Sequence, residues 1–211
     1  MQKSMQKIRG LIALMRPHQW LKNVFVFAGL VFSQTWSNGP LVHRILLAVA
    51  AFCCASSMVY ILNDWRDRAS DALHPSKSKR PLASGGVGVE AALVLAGLLF
   101  IIGLYLALGN RVLLILLGVY IALNLAYSWG LKHVPVVDVS IIASGFMLRL
   151  LAGTLAVDIP PSRWLLLTGL FIALFLGFSN ARPRAFTRRP TSAQSWRTTR
   201  RPCWTPIWPP P

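Results

Sequence analysis

The chain has 211 residues, of which 55% are hydrophobic and only 13% are charged, and its formal net charge is +16. Ordinary soluble domains carry about twice that share of charged residues, so the composition favours a membrane protein over a soluble domain. The basic residues lie between apolar runs or in the last thirty positions rather than on one water-facing element, so we predict no nucleic-acid partner.

Six apolar segments follow one another along the chain, at 22–36, 41–62, 88–108, 112–128, 137–157 and 164–180. Most approach the roughly 20 residues that a membrane-spanning helix needs, and none shows the alternation of a barrel strand. Lys and Arg are concentrated in the N-terminal stretch and in the loops after the second and fourth segments, which places these parts in the cytoplasm. The sequence therefore predicts an all-α, polytopic transmembrane helix bundle with six spans and both ends in the cytoplasm.

Half of the six carboxylates in the chain fall within eight residues, directly after the second apolar segment. At about 100° per residue, Asn63, Asp64, Asp67 and Asp71 project from one arc of a continuing helix. Oxygen ligands this close together favour a hard cation such as Mg²⁺, which also binds substrate phosphates. We predict Asn63, Asp67 and Asp71 as metal ligands, with Asp64 and Asp67 in catalytic roles. The alternative is a solvated acidic face that pairs with neighbouring arginines.

The loop that follows these carboxylates is basic and contains His74, Lys77 and Arg80. A metal ion together with ammonium or guanidinium groups is a common way to hold a diphosphate leaving group. We therefore predict catalytic roles for Lys77 and Arg80 and a substrate-binding role for His74. Part of the charge also reflects the general excess of basic residues in cytoplasmic loops.

The remaining candidates are polar side chains at the ends of, or inside, the apolar segments, and we predict that they bind substrate: Lys22, Asn23, Tyr127, Lys132, Asp138 and Arg149. Arg149 lies inside the fifth segment, where an ionisable side chain is a candidate for function, although a structural pairing is the alternative. Asp138 begins the same segment and is also suited to cap a helix. Tyr127 is also typical of an interfacial aromatic belt.

The pattern Asn63-Asp64-x-x-Asp67-x-x-x-Asp71 between the second and third segments resembles the first aspartate-rich motif of the UbiA superfamily of intramembrane prenyltransferases. The loop Tyr127-Ser-Trp-Gly-Leu-Lys132 is similar to the other cytoplasmic signature of that superfamily. Two further runs, 16–23 and 71–85, resemble the decaprenyl-phosphate phosphoribosyltransferase branch. The resemblance covers residues 14 to about 180.

This resemblance implies a bundle of UbiA type, with about six of roughly nine spans present. It also implies Mg²⁺-dependent transfer of 5-phosphoribosyl from phosphoribosyl diphosphate to decaprenyl (polyprenyl) phosphate, a step in cell-wall arabinan precursor synthesis at the plasma membrane. One alternative is a UbiA-type aromatic or haem prenyltransferase that uses a prenyl diphosphate donor, and a more distant one is an ion-coupled transporter. The oligomeric state is left open.

The composition changes sharply near Arg182, so we predict a transmembrane bundle over 1–181 and a disordered, basic, Arg/Pro-rich tail over 182–211. The resemblance implies a second acidic motif near Asn180, and the tail begins there instead. We therefore expect the chain to be truncated relative to the family, with the tail translated from a shifted reading frame. Another frame of the coding DNA should then restore apolar spans. Such a truncation puts the activity of this chain in question, and the alternative is a genuine basic membrane anchor.

Overall fold

The computed structural model describes residues 2–129 and 135–186. Within these ranges the chain forms seven α-helices and two 3-10 helices and has no β-strand. In chain order the elements are α1 (Gln2–Met15), a 3-10 helix (Pro17–Phe27), α2 (Ala28–Ser33), α3 (Gly39–Ala72), α4 (Val89–Ala107), α5 (Arg111–Trp129), α6 (Pro135–Ala152), a short 3-10 helix (Leu155–Val157) and α7 (Arg163–Phe186).

Four helical stretches are long and apolar enough to cross a membrane: Gly39–Ala72, Val89–Ala107, Arg111–Ser128 and Val139–Val157. The apolar part of α7, Arg163–Ser179, is shorter. These stretches coincide with the second to sixth predicted segments, and the prediction of an all-α, multi-pass helix bundle is confirmed.

Helix α3 is the longest element and positions the candidate site. Its 34 residues rise about 51 Å, whereas the hydrocarbon core of a bilayer is only about 30 Å thick. The helix begins after Asn38, whose side chain accepts a hydrogen bond from the Leu41 backbone N–H at 3.2 Å. Its last turns therefore extend beyond the apolar layer and carry the acidic residues with them.

Helices α3 and α4 approach each other closely through small side chains. Ala51 and Ala55 of α3 and Ala96 of α4 are buried. A Cβ atom added to Gly103 of α4 would lie 3.3 Å from the Cβ atom of Cys54. Small residues at such an interface allow two helix backbones to pack tightly in the absence of water.

The first predicted span, 22–36, is not a single α-helix in the structure. The chain instead forms the 3-10 helix Pro17–Phe27 followed by α2, and these 11 and 6 residues together rise about 31 Å, which is still close to the hydrocarbon thickness. A 3-10 helix has three residues per turn, so side chains at every third position share one face.

The contacts of this 3-10 helix explain its winding. Trp20 Nε1 donates to Ser57 Oγ at 2.9 Å, Asn23 Nδ2 donates to Cys53 Sγ at 3.0 Å, and Val26 is fully buried. The residues at 20, 23 and 26 are spaced by three and form one face of the helix. The tertiary contacts with α3 thus select the tighter winding over the α-helix.

The last helix continues beyond the predicted domain boundary at 181. Helix α7 runs through Pro183 and ends at Phe186. A proline removes one backbone hydrogen bond and bends a helix, but the helix can continue past it. Residues 187–211 lie outside the described part of the chain, so the disordered tail stays a prediction.

Asn110 links two elements at the end of the bundle away from the acidic residues. Its Oδ1 accepts from the Leu113 backbone N–H at 3.0 Å, which caps α5, and its Nδ2 donates to the carbonyl oxygen of Ala156. One side chain therefore satisfies a helix terminus and a backbone carbonyl of the short 3-10 helix.

We expect Asn110→Ala to lower the free energy of unfolding by about 2 kcal/mol, because both the cap and the cross-link are lost. Asn38→Ala removes only the cap of α3 and should cost about 1 kcal/mol. Thermal unfolding of the purified proteins in detergent measures the difference. Equal losses in the two variants would show that the contact with Ala156 contributes nothing to stability.

Candidate active site

Two buried carboxylates, Asp64 and Asp71, lie on the last turns of α3, and one arginine joins them. Only 4% of Asp64 and 3% of Asp71 is exposed. Arg80, from the loop after α3, places Nη1 at 3.1 Å from Asp64 Oδ1 and 2.6 Å from Asp71 Oδ2. The two aspartates are seven residues apart, which is two helical turns, so both face the same loop.

Two further cations complete this cluster. Arg16 Nη2 donates to Asp64 Oδ1 at 2.6 Å, and its guanidinium lies 5.1 Å from the centre of the Tyr60 ring. Arg16 has a left-handed backbone (φ 50°), which turns the chain between α1 and the 3-10 helix. Lys77 Nζ lies 3.7 Å from Asp71 Oδ1. Two carboxylates therefore face three cations, and the group carries a positive excess suited to a polyanion.

The oxygen atoms of this cluster fit a divalent cation that shares its coordination with a substrate. Among the residues that the structure describes, no group of three or more His, Cys, Asp or Glu side chains is arranged to hold a metal ion alone. Mg²⁺ is commonly held by one or two carboxylates, with water and substrate phosphates as its other ligands. Asp64 and Asp71 converge on a single nitrogen atom of Arg80, so their carboxylates can provide such a pair.

A cavity of about 190 Å³ opens beside the cluster. Its polar lining comes from the 3-10 helix and from α3, α5 and α6, and consists of Lys22, Tyr60, Asn63, Tyr120, Asn124, Tyr127 and Arg149. Asn63 precedes Asp64 in α3 and accepts a hydrogen bond from Ser128 Oγ of α5. The cavity is therefore next to the carboxylate cluster, because adjacent residues of α3 contribute to each.

Arg149 of α6 is buried at the side of this cavity, with only 5% of its surface exposed. Its Nε donates to Asn23 Oδ1 at 2.7 Å, its Nη1 to the Gly145 carbonyl at 2.7 Å, and its Nη2 to Tyr120 Oη at 3.2 Å. The guanidinium also stacks 4.8 Å from the Tyr120 ring centre and 5.8 Å from that of Phe52. All of these partners are neutral, so the charge is held in place without being neutralised.

The structure divides the predicted residues into groups. Four of the predicted residues lie in the cluster: Asp64, Asp71, Lys77 and Arg80. Five others line or support the cavity: Lys22, Asn23, Asn63, Tyr127 and Arg149. Asp67 is half-buried on α3, one turn from both Asn63 and Asp71. Its role as a metal ligand stays a prediction.

Of the three remaining predicted residues, the structure describes the side chain of His74 alone, and it places His74 in neither group. His74 is exposed, and its Nδ1 contacts Ser76, with the backbone N–H of Ser76 at 3.3 Å and its Oγ at 3.1 Å. The ring therefore shapes the loop locally. Lys132 lies outside the described residues. Asp138 falls in the first turn of α6, and its side chain is also outside what the structure describes.

Sequence reasoning assigned no site role to Arg16, Tyr60 or Tyr120. Arg16 is 48 residues from its partner Asp64, and Tyr120 is 29 residues from Arg149. The sequence signal for Arg16 is its place at the start of the run 16–23, immediately before the first apolar segment.

A sequence model described as the UbiA prenyltransferase family matches residues 23–190. The chain belongs to the UbiA prenyltransferase family. This membership agrees with the resemblance found in the aspartate-rich motif, and the match extends past the predicted boundary near 181.

Similar proteins in this family carry the name decaprenyl-phosphate phosphoribosyltransferase. The protein of Mycolicibacterium smegmatis is 40% identical over 174 residues, which cover 80% of this chain and 55% of the relative. That of Corynebacterium glutamicum is 40% identical over 172 residues, covering 79% and 52%. One from Mycobacterium tuberculosis is 35% identical over 176 residues, covering 80% and 58%. The chain thus spans about half the length of these relatives.

A solved structure shares the fold of this UbiA-family chain. It is that of a UbiA homolog from Archaeoglobus fulgidus bound to DMAPP and Mg²⁺, with a TM-score of 0.67 and 23% sequence identity. The likeness covers 78% of this chain and 60% of the archaeal one. At this identity the comparison shows the fold, and the UbiA-type bundle is confirmed.

Proposed function

We propose that this chain provides the donor-activating part of a Mg²⁺-dependent transferase that moves 5-phosphoribosyl from phosphoribosyl diphosphate to a polyprenyl phosphate such as decaprenyl phosphate. The bond between ribose C1 and the diphosphate oxygen breaks, and its electron pair leaves with the diphosphate. A phosphate oxygen of the lipid forms the new bond to C1. The names and the 35–40% identity of the relatives support this assignment.

The observation that carries the proposal is the position of Arg80 between Asp64 and Asp71, with Arg16 and Lys77 beside them. A site for a departing diphosphate needs oxygen ligands for a metal ion and cations for the developing negative charge. The cluster provides both within a few ångströms. It lies at a helix end beside a basic loop, whereas an ion-coupled transporter would be expected to place such groups near the middle of the membrane.

The residues have distinct roles in this proposal. Asp64 and Asp71 would hold Mg²⁺, with Asn63 and Asp67 as further predicted ligands. When bound, Mg²⁺ supplies charge neutralisation to the diphosphate. Arg80, Lys77 and Arg16 bind the diphosphate oxygens and stabilise the charge that appears on them as the C1–O bond breaks. Because the acceptor phosphate is already anionic, its attack on C1 needs no covalent enzyme intermediate.

The cavity beside the cluster would receive the ribose and the acceptor phosphate. The proposed substrate-binding residues are Lys22, Asn23, His74, Tyr127, Lys132, Asp138 and Arg149. The protein would lie in the plasma membrane with its N-terminus and the 73–88 loop in the cytoplasm, where phosphoribosyl diphosphate is found. The exposed apolar faces of the helices would contact lipid, from which a polyprenyl chain can enter between helices.

The test is a transfer assay with the purified chain in lipid nanodiscs that contain decaprenyl phosphate. We expect label from phosphoribosyl diphosphate to enter the lipid fraction with Mg²⁺ and not with EDTA. Dimethylallyl and geranyl diphosphates, offered with an aromatic acceptor, should give no product. Transfer of a prenyl group instead would assign the chain to the prenyl-donor branch, and the absence of any Mg²⁺-dependent transfer would contradict the proposal for this chain.

A further inference from the structure

Arg149 and Lys22 form a second basic group that is separate from the carboxylate cluster. Both line the cavity beside the cluster, Arg149 from α6 and Lys22 from the 3-10 helix. Within residues 2–129 and 135–186, the ion pairs of Asp64, Asp71 and Asp158 are made with Arg16, Arg44, Lys77 and Arg80. The described part of the chain shows no ion pair of Arg149 or Lys22 with a carboxylate. A buried cation of this kind is costly unless an anion approaches it.

The setting of Arg149 leaves part of its guanidinium available to a ligand. The group has five N–H donors, and its hydrogen bonds to Asn23, Gly145 and Tyr120 use three of them. These bonds and the stacking on Tyr120 fix the plane of the guanidinium. A guanidinium held in this way is pre-organised to receive two oxygens of one phosphate group, because no side-chain order has to be gained on binding.

The two groups of the site should therefore differ in how they bind anions. In the cluster, the carboxylates of Asp64 and Asp71 offset most of the positive charge of the cations that pair with them, so strong phosphate binding there should also need a metal ion. Arg149 and Lys22 pair with no carboxylate in the described part of the chain, and they attract a phosphate directly. Neutral hydrogen-bonding side chains, among them Tyr60 and Asn124, complete the cavity wall and can contact the remaining oxygens.

We propose that Arg149 and Lys22 form a metal-independent site for a phosphate monoester, distinct from the metal-dependent diphosphate site. The choice of a phosphate monoester rests on the proposed function, in which two such groups take part. One is the phosphate head of the polyprenyl acceptor, and the other is the 5-phosphate of the phosphoribosyl donor. Both present the same dianionic group, and binding experiments can separate them.

The experiment measures binding to the purified chain in nanodiscs with EDTA present, using two probes. Farnesyl phosphate represents the acceptor head, and ribose 5-phosphate represents the donor 5-phosphate, with farnesol and ribose as uncharged controls. We expect at least one of the two phosphates to bind without Mg²⁺, and its affinity to fall at least tenfold in Arg149→Gln and in Lys22→Gln. Binding of farnesyl phosphate but not of ribose 5-phosphate would assign the site to the acceptor. Binding of ribose 5-phosphate but not of farnesyl phosphate would assign it to the donor.

Arg44→Gln is the matched control, because it removes an arginine that pairs with Asp158 at the other end of the bundle. Its affinity for both probes should equal that of the wild type. Arg149→Gln could weaken the fold, so Lys22→Gln, whose side chain is only half-buried, tests the proposal separately, and thermal unfolding reports the integrity of each variant. Binding that requires Mg²⁺, or binding that neither variant weakens, would overturn the proposal.

These outcomes are distinguishable from those of the transfer assay. If a phosphate binds in EDTA and depends on Lys22 and Arg149 while no phosphoribosyl is transferred, the site stands and the proposed reaction fails. If transfer occurs but the Mg²⁺-free affinity is the same in both variants as in the wild type, the reaction stands and the second site fails.

Discussion

Asp64→Asn is expected to lower Mg²⁺-dependent phosphoribosyl transfer by about 100- to 1,000-fold, the size of effect that follows when one pre-organised electrostatic contact is removed from an active site. The asparagine keeps the shape of the side chain but loses the negative charge that balances Arg16 and Arg80, which lie at 2.6 and 3.1 Å from Asp64 Oδ1. The rate of label transfer at saturating Mg²⁺ measures the loss.

Asp158→Asn is the matched control for this experiment. Asp158 has a left-handed backbone (φ 61°), which asparagine tolerates, and its carboxylate is exposed and pairs with Arg44 at 2.8 Å. An exposed pair of this kind contributes about 1 kcal/mol or less to stability, so transfer should stay close to the wild-type rate. Equal losses in the two variants would indicate a general effect of charge and would argue against a role for Asp64 in the reaction.

Gly153→Ala should destabilise the fold by about 3 kcal/mol or more, because the new methyl group would meet backbone atoms. A Cβ atom at Gly153 would lie 1.8 Å from the Val26 carbonyl oxygen, and one at Gly29 would lie 1.9 Å from the Gly153 carbonyl oxygen. The backbone just after α6 is thus in contact with the backbone of the 3-10 helix Pro17–Phe27 and with that of α2. Separating them would also move Asn23 away from Arg149, so phosphate binding should weaken together with stability.

Two glycines inside helices provide the comparison. A Cβ atom added to Gly97 of α4 or to Gly118 of α5 would have no heavy atom within 4 Å. Alanine is the better helix former, so Gly97→Ala and Gly118→Ala should unfold at or above the wild-type temperature. Circular dichroism during heating in detergent measures all three variants. A Gly153→Ala protein as stable as these controls would show that the close contact with Val26 is not needed.

The parts of the site that depend on helical periodicity could be predicted from the sequence. Asp64 and Asp71 lie seven residues apart in a helix that continues past the apolar segment, and that spacing alone places them on one arc. Arg80 follows nine residues after Asp71, so a short loop brings it back to the helix end. Local geometry decides each of these positions, and for this reason the sequence could indicate that these three residues lie close together.

The parts that depend on tertiary contacts could not be predicted in the same way. The apolar character of the segment 22–36 suggests a spanning α-helix. In the structure, the contacts of Trp20 and Asn23 with α3 are three residues apart and favour a 3-10 helix. The pairing of Arg16 with Asp64 joins residues far apart in the chain. Neither periodicity nor composition indicates which of the many arginines of the chain would reach this carboxylate.

Binding of Mn²⁺ tests the central claim most directly, because Mn²⁺ prefers the same oxygen ligands as Mg²⁺ and is detected by electron paramagnetic resonance without any turnover. We predict that the wild-type chain binds Mn²⁺ tightly only when phosphoribosyl diphosphate is present. The double variant Asp64→Asn/Asp71→Asn should lose at least about tenfold in affinity, or about 1.4 kcal/mol, and Asp158→Asn should lose none. A double variant that binds Mn²⁺ and the diphosphate as tightly as the wild type would contradict the assignment of this cluster as the metal–diphosphate site.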